Sequence, residues 1–429
     1  MSVAASNPAT ASARKATFFG WHVVIAVFVL ATFGWGLGFY GPPVYLHALH
    51  ELRGWSLNVI STAVTVHFLF GAIVIANLPR LYARFGLARV TKAGSLALAI
   101  GVAAWALAQQ PWQLFVATLF SGGGWVTMGA AAVNAIIAPW FVRKRPIALA
   151  SAYNGSSVGG VVFSPLWMAA IGLLGFPWAA VVIGLVVAVT IWILSDLYYG
   201  KTPDAMGLHP DGDAPQAAPT SLSISRAKPL PKRQVWKDWR LVTLAAGMAL
   251  GLFAQIGLVA HLFSLLVPPL GAQLAGFAAG GATVAAIIGR TVVGWLMPAR
   301  ADRRLFGCAN YLIQILGSLA FFFAACHNTP LLLLGVVLFG AGIGNTTSLP
   351  PMIAQAEFAK GDVSRVVPLI VATGQATYAF APAVFGFIRD FAPRWGSASP
   401  GAASGMFLSA AFIQALAVLT FFIGRPRQP

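Results

Sequence analysis

Carboxylates are scarce in this chain: 10 Asp and Glu stand among 429 residues, against 27 Lys and Arg. Glu51, Asp196, Asp204, Asp211, Asp213, Asp238, Asp302, Glu357, Asp362 and Asp390 all fall between apolar stretches or at their ends, so no acid lies within one. Cysteine is nearly absent; Cys308 and Cys326 offer neither a disulfide framework nor thiolate metal spacing, and no metal or cofactor is expected. A membrane hydrolase or transferase would need a nucleophile with a base, or clustered metal ligands. Isolated histidines without a carboxylate do not supply one, so the chain does not read as an enzyme. The glycine runs at 122–124 and 340–344 follow no strand and carry no Walker lysine, so they read as sites of close helix contact and bending rather than phosphate loops.

What the chain has in abundance is apolar length. Hydrophobic residues make up 58% of it, charged residues 9%, and the mean hydropathy is +0.79, which describes an integral membrane protein. Runs long enough to cross a ~30 Å hydrocarbon core as helix lie near 21–46, 57–78, 90–108, 112–139, 146–170 and 173–195, then 241–267, 273–298, 305–325, 331–354, 364–388 and 403–424. The expected fold is all-α, with twelve transmembrane helices. The Pro pairs at 42–43, 268–269 and 350–351 read as breaks near helix ends.

Basic residues cluster on alternate connections, including Arg80, Arg84, Arg89 and Lys92, the Arg143-Lys144-Arg145 run, and Arg300, Arg303 and Arg304, whereas the other connections hold only Arg53, Arg389 and Arg394. This is the positive-inside pattern, and it places both termini in the cytoplasm of a multi-pass protein, expected in a bacterial inner membrane. The formal charge of +17 is thereby accounted for by topology and anionic lipid, with no nucleic-acid partner.

The chain also repeats itself. At an offset of about 220 residues, "LPRLYAR" after the second run matches "MPARADR" after the eighth, and Arg145 opens the fifth as Arg365 opens the eleventh. The expected organisation is a disordered cytoplasmic tail 1–19, a six-helix bundle 20–196, a polar linker 197–239, a second six-helix bundle 240–424 and a tail 425–429. Trp236 and Trp239, beside basic residues, read as an interfacial anchor. Two parallel repeats facing each other are the plan of an alternating-access carrier, with its substrate site near the midplane.

One residue violates the apolar pattern. Arg290, in "VAAIIGRTVVGW", lies about seven residues from the expected cytoplasmic end of its helix, roughly 10 Å, which is long for snorkelling. A helix-centre arginine costs about 2.5–3.5 kcal/mol on insertion scales, so it should face protein or a wet cavity. Two readings follow: the guanidinium bonds backbone carbonyls and holds helices together, or it offers a bidentate fork to a substrate carboxylate.

"PRLYARFGLAR", "APWFVRKRPIALASAYNGSSVGGVVFSPL" and "GRTVVG" together resemble the major facilitator superfamily, and within it the branch of monocarboxylate transporters and oxalate/formate exchangers. The resemblance implies a substrate-carboxylate role for Arg290 and a gating-loop role for Arg84, Gly86 and, in the second repeat, Arg303. It departs at Pro79 and Ala83, where the loop motif has Gly and Asp, and at Ala286, where many monocarboxylate carriers place an acid.

Further candidates for the cavity are Asn134, Tyr153 and Asn154 in the first half, and Asn345, Gln375 and Tyr378 in the second; such groups orient an anion or join helices. His261 and His67 could each carry a proton near neutral pH, His261 also contacting substrate, with satisfied packing as the alternative. The expected activity is secondary transport of a small organic anion, a monocarboxylate, with proton symport or anion exchange, by a monomer in the lipid bilayer. A multidrug exporter of amphipathic cations would need an embedded acid, and a transporter-like sensor would need a signalling domain that the linker is too short to form.

Overall fold

The computed structural model describes residues 18–212, 235–298, 301–324, 328–391 and 403–425. Residues 1–17 of the N-terminal tail, 213–234 of the linker, Arg300, Cys326, Arg394 and residues 426–429 lie outside the described residues.

Twelve helices among the described residues are long and apolar enough to cross a membrane. The first six are Phe19–Arg53, Thr62–Phe85, Leu87–Leu107, Pro111–Ile137, Arg145–Leu174 and Phe176–Tyr199. The second six are Trp239–Leu262, Phe277–Leu296, Arg303–Ala324, Thr329–Glu357, Gly361–Ile388 and Ser404–Ile423. They form two six-helix bundles, all-α throughout the described residues. Both described ends lie on one face, here called the terminal face.

Helix contact is made close by glycine. A β-carbon at Gly122 in the fourth helix would stand 2.2 Å from the His67 carbonyl oxygen, and one at Gly344 in the tenth 2.3 Å from that of Ala286. Three crossings are interrupted. The first breaks at Phe39–Tyr40 before Pro42 and Pro43, the fourth through a 3-10 turn at Val126–Met128, and the eleventh between Tyr378 and Ala381. A helical run from Trp239 to Leu296 is split into the seventh and eighth helices by Gly271, whose φ of 74° suits glycine. Irregular backbone at membrane depth persists only where protein or a cavity satisfies it, so such breaks mark the interior between the bundles.

The structure corrects three expectations. Pro350 and Pro351 do not end the tenth helix, which runs through them from Thr329 to Glu357; neighbouring helices can satisfy the backbone that proline frees in a membrane. The N-terminal tail stops short of residue 19, since helix begins at Phe19 and Phe18 packs edge-on to Trp140 and Phe141. Residues from 197 onward also do not start a loose linker. The sixth helix continues as a π turn to Tyr199, whose hydroxyl donates to the Ala26 carbonyl at 2.8 Å, and the segment to Gly212 folds back over the terminal face. There Asp211, at φ 64°, accepts from the backbone N–H groups of Val142 (3.1 Å), Arg143 (2.8 Å) and Lys144 (3.0 Å), capping the turn that opens the fifth helix.

Candidate functional site

Arg290 is 3% exposed and lies between the two bundles. Its Nε donates to the Gly344 carbonyl of the tenth helix at 2.6 Å, and its Nη1 donates to the Tyr153 carbonyl and, at 3.3 Å, to Asn154 Oδ1, both of the fifth helix. The backbone-bonding arrangement weighed from the sequence is therefore present, and it spans the bundles rather than staying in one. Every acceptor is neutral. Nη2 donates to no protein group among the described residues, which leaves part of the guanidinium fork available.

Asn154 also donates from Nδ2 to Thr291 Oγ1 at 3.0 Å, fastening the fifth helix to the eighth one residue beyond Arg290. Below, on the terminal side, a second set of polar bonds crosses the divide. Gln355 donates from Nε2 to Asn134 Oδ1 at 3.0 Å, and its Oε1 accepts from Arg145 Nη1 at 3.4 Å. Asn134 in turn donates to the Tyr153 hydroxyl, so this latch meets the residue whose carbonyl holds Arg290.

Gln375 and Tyr378 form another crossing point. Gln375 Nε2 donates to the Phe68 carbonyl of the second helix at 2.9 Å, its Oε1 accepts from the Tyr378 hydroxyl at 3.2 Å, and the Tyr378 ring meets Phe68 and Phe39. Asn345 follows Gly344 directly and is 2% exposed; its Oδ1 is buried without a hydrogen-bond partner among the described residues.

The histidines stand elsewhere. His67 is buried, stacked on Trp125 at 6.3 Å, with Nε2 against the Gly38 carbonyl and Nδ1 against Ser121 Oγ, both at 2.9 Å. A carbonyl only accepts, so Nε2 carries a proton, and both ring nitrogens have a partner. His261 Nε2 lies 3.0 Å from the Pro382 carbonyl of the eleventh helix. It is 22 residues above the start of its helix at Trp239, whereas Arg290 is six residues from the end of its own at Leu296, which separates them by on the order of 20 Å along the bundle. One small anion does not touch both.

The loop candidates also diverge. Arg84 is exposed, its guanidinium over the neighbouring Phe85 ring at 5.1 Å. Gly86, at φ 80°, turns the corner into the third helix. Arg303 Nη1 donates to the Met352 carbonyl at 2.6 Å, within the second bundle.

Several interactions escaped sequence reading. Arg304, fully buried, grips Glu357 through Nε at 2.6 Å and Nη2 at 2.8 Å, while Arg425 pairs with Asp302 at 2.7 Å. Gln255, Gln314 and Gln414 build a buried amide network with Thr346 and Ser318 across four helices of the second bundle. The clue for the first was an arginine beside a loop acid. The amides gave none, because their sequence separations bear no relation to helical period.

Two six-helix bundles with a polar seam between them define a single-chain membrane carrier. The chain belongs to the Major Facilitator Superfamily, whose family model matches residues 23–382. It is 27% identical to the MFS transporter asaE of Aspergillus flavus over 346 residues, covering 78% of this chain and 72% of that one. It is 26% identical to MFS-type transporter 1 of Ophiocordyceps over 356 residues, covering 79% and 72%. A shorter match, 28% identical over 172 residues, covers 39% of this chain and 34% of the Aspyridones efflux protein apdF of Emericella nidulans. In fold it is similar to the human organic anion transporter MFSD10, with TM-score 0.64 and 15% identity over 93% of this chain and 98% of that one. It is equally similar to the E. coli fucose:proton symporter FucP, with TM-score 0.64 and 15% identity over 95% and 99%. The protein is thus a multi-pass membrane transporter and not an enzyme.

Proposed function

We propose that this transporter carries a small organic anion, a monocarboxylate, by alternating access, acts as a monomer with the terminal face cytoplasmic, and uses Arg290 as the carboxylate site. The observation that carries the reading is a buried guanidinium between the bundles, held by neutral acceptors alone. Charge-assisted hydrogen bonds are about twice as strong as neutral ones, so a carboxylate taking Nη2 competes with the Tyr153 carbonyl and Asn154 for Nη1. Binding would then loosen the bonds that join the eighth helix to the fifth. In this way one residue serves both as bundle contact and as substrate site. The asymmetry of basic residues supports the orientation, and the motifs around Trp140 and Arg290 support the monocarboxylate branch.

His261, on the Pro382 carbonyl, is the first proton-coupling candidate; the packing of His67 against Trp125 and Gly38 favours the structural role weighed for that residue. Obligatory anion exchange is the competing cycle. Export has one observation in its favour, the matched fungal protein named for efflux. Proteoliposomes test these together: uptake of radiolabelled carboxylate under an imposed proton gradient, against counterflow from preloaded vesicles. Gradient-driven accumulation supports symport, counterflow alone supports exchange, and transport of neither in the presence of a transported cationic drug removes the anion reading.

A further inference from the structure

A circuit of aromatic rings starts at Arg290. Its Cζ lies 5.9 Å from the centre of the Tyr153 ring, Tyr153 stands edge-on to Trp35 at 6.2 Å, and Trp35 stands edge-on to Trp125 at 5.9 Å. Phe68 continues from Trp125 at 6.2 Å and meets Tyr378 at 5.6 Å, which carries the circuit across the divide between the bundles. From Tyr378 it returns through Phe39 at 6.2 Å to Tyr40, 5.1 Å from Phe39. Tyr40 lies against Gly160, where a β-carbon would stand 2.6 Å from its Cζ, two helical turns beyond Tyr153.

These rings belong to the main core and its partly buried margin. They come from the first, second, fourth, fifth and eleventh helices, three of which are broken beside them, and Phe39, Tyr40 and Phe68 are only half-buried. The circuit contains one fixed positive charge and no acid. It also holds the buried indole N–H of Trp125, which has no acceptor among the described residues.

We propose that the transported anion is an aromatic monocarboxylate, its carboxylate on Arg290 and its flat apolar body among Trp35, Tyr40 and Phe68. This deepens the anion reading above and rests on it. Each aromatic contact contributes roughly twofold to tenfold in affinity, and a two-carbon aliphatic acid makes none of them. A dicarboxylate brings a second charge among rings that hold no second cation, so its desolvation goes uncompensated. The Trp125 donor suits a neutral acceptor on the ligand's body, not another carboxylate.

The test is calorimetric titration of the purified full-length chain with phenylacetate, acetate, succinate and phenylacetamide. Phenylacetate should bind about tenfold or more tighter than each of the other three. Trp35→Leu should weaken phenylacetate roughly twofold to tenfold and leave acetate within about twofold; Tyr40→Leu, at a half-buried position, gives the same comparison where Trp35→Leu does not fold. Acetate or succinate binding as tightly as phenylacetate overturns this inference and leaves the anion reading standing. Phenylacetamide matching phenylacetate, or no carboxylate binding at all, overturns both.

Discussion

Gln355 of the tenth helix donates to Asn134 of the fourth at 3.0 Å, and this bond ties the two bundles together on the terminal side of Arg290. Its other amide atom accepts from Arg145, so a single side chain joins three helices. Gln355→Leu removes both bonds. At about 1 kcal/mol each, their loss should shift the equilibrium towards a state open to the terminal face by roughly tenfold or more. Hydrogen–deuterium exchange should rise at the start of the fifth helix and the end of the tenth; unchanged exchange in both would show that these bonds do not hold the face closed.

Arg290→Lys keeps the charge and loses the planar fork. Carboxylate affinity should fall by about tenfold or more, with a near-normal folded yield, while Arg290→Ala should lose binding more fully. Binding titrations on detergent-purified variants of matched monodispersity check this. Normal carboxylate transport by folded Arg290→Ala would make the arginine a helix fastener only.

His67 and His261 separate by function. His67→Gln breaks a satisfied buried pair of bonds, so it should lower thermal stability and leave the pH dependence of uptake in place. His261→Gln should preserve counterflow and reduce proton-driven accumulation. The paired measurement is uptake against external pH in proteoliposomes; parental pH dependence in the His261 variant would remove it from coupling.

Arg304 and Glu357 form a buried pair, and removing one partner strands the other. Arg304→Met alone should cost about 3–5 kcal/mol and depress folded yield, whereas Arg304→Met with Glu357→Leu should recover much of it. Fluorescence-detected size exclusion compares the two. Equal yields would mean that the pair contributes little to the fold.

Asp211→Ala removes a carboxylate that accepts three backbone N–H bonds and should cost about 1–2 kcal/mol. Asp211→Asn, which tolerates the left-handed backbone and keeps one acceptor, should cost less. Melting curves of both variants decide it, and identical curves for Asp211→Ala and parent would show that the turn needs no cap.

Twelve crossings, their order and the repeat between halves could be read from the chain, because in lipid every backbone group must be satisfied within its own segment and length and hydropathy then settle the result. Arg290 was legible for the same reason: a charge in a run that lipid would reject must face protein. What Arg290 touches was not legible. Gly344, Tyr153 and Asn154 lie 54, 137 and 136 residues away, and no helical period connects them. The Gln355 latch, the glutamine network and the aromatic circuit share that character, since amides and rings in an all-apolar helix read alike whether they face lipid, a neighbour or the seam. Only the packing of two bundles chose among those faces, because the polar partners that make one of them favourable are supplied by the other half of the molecule.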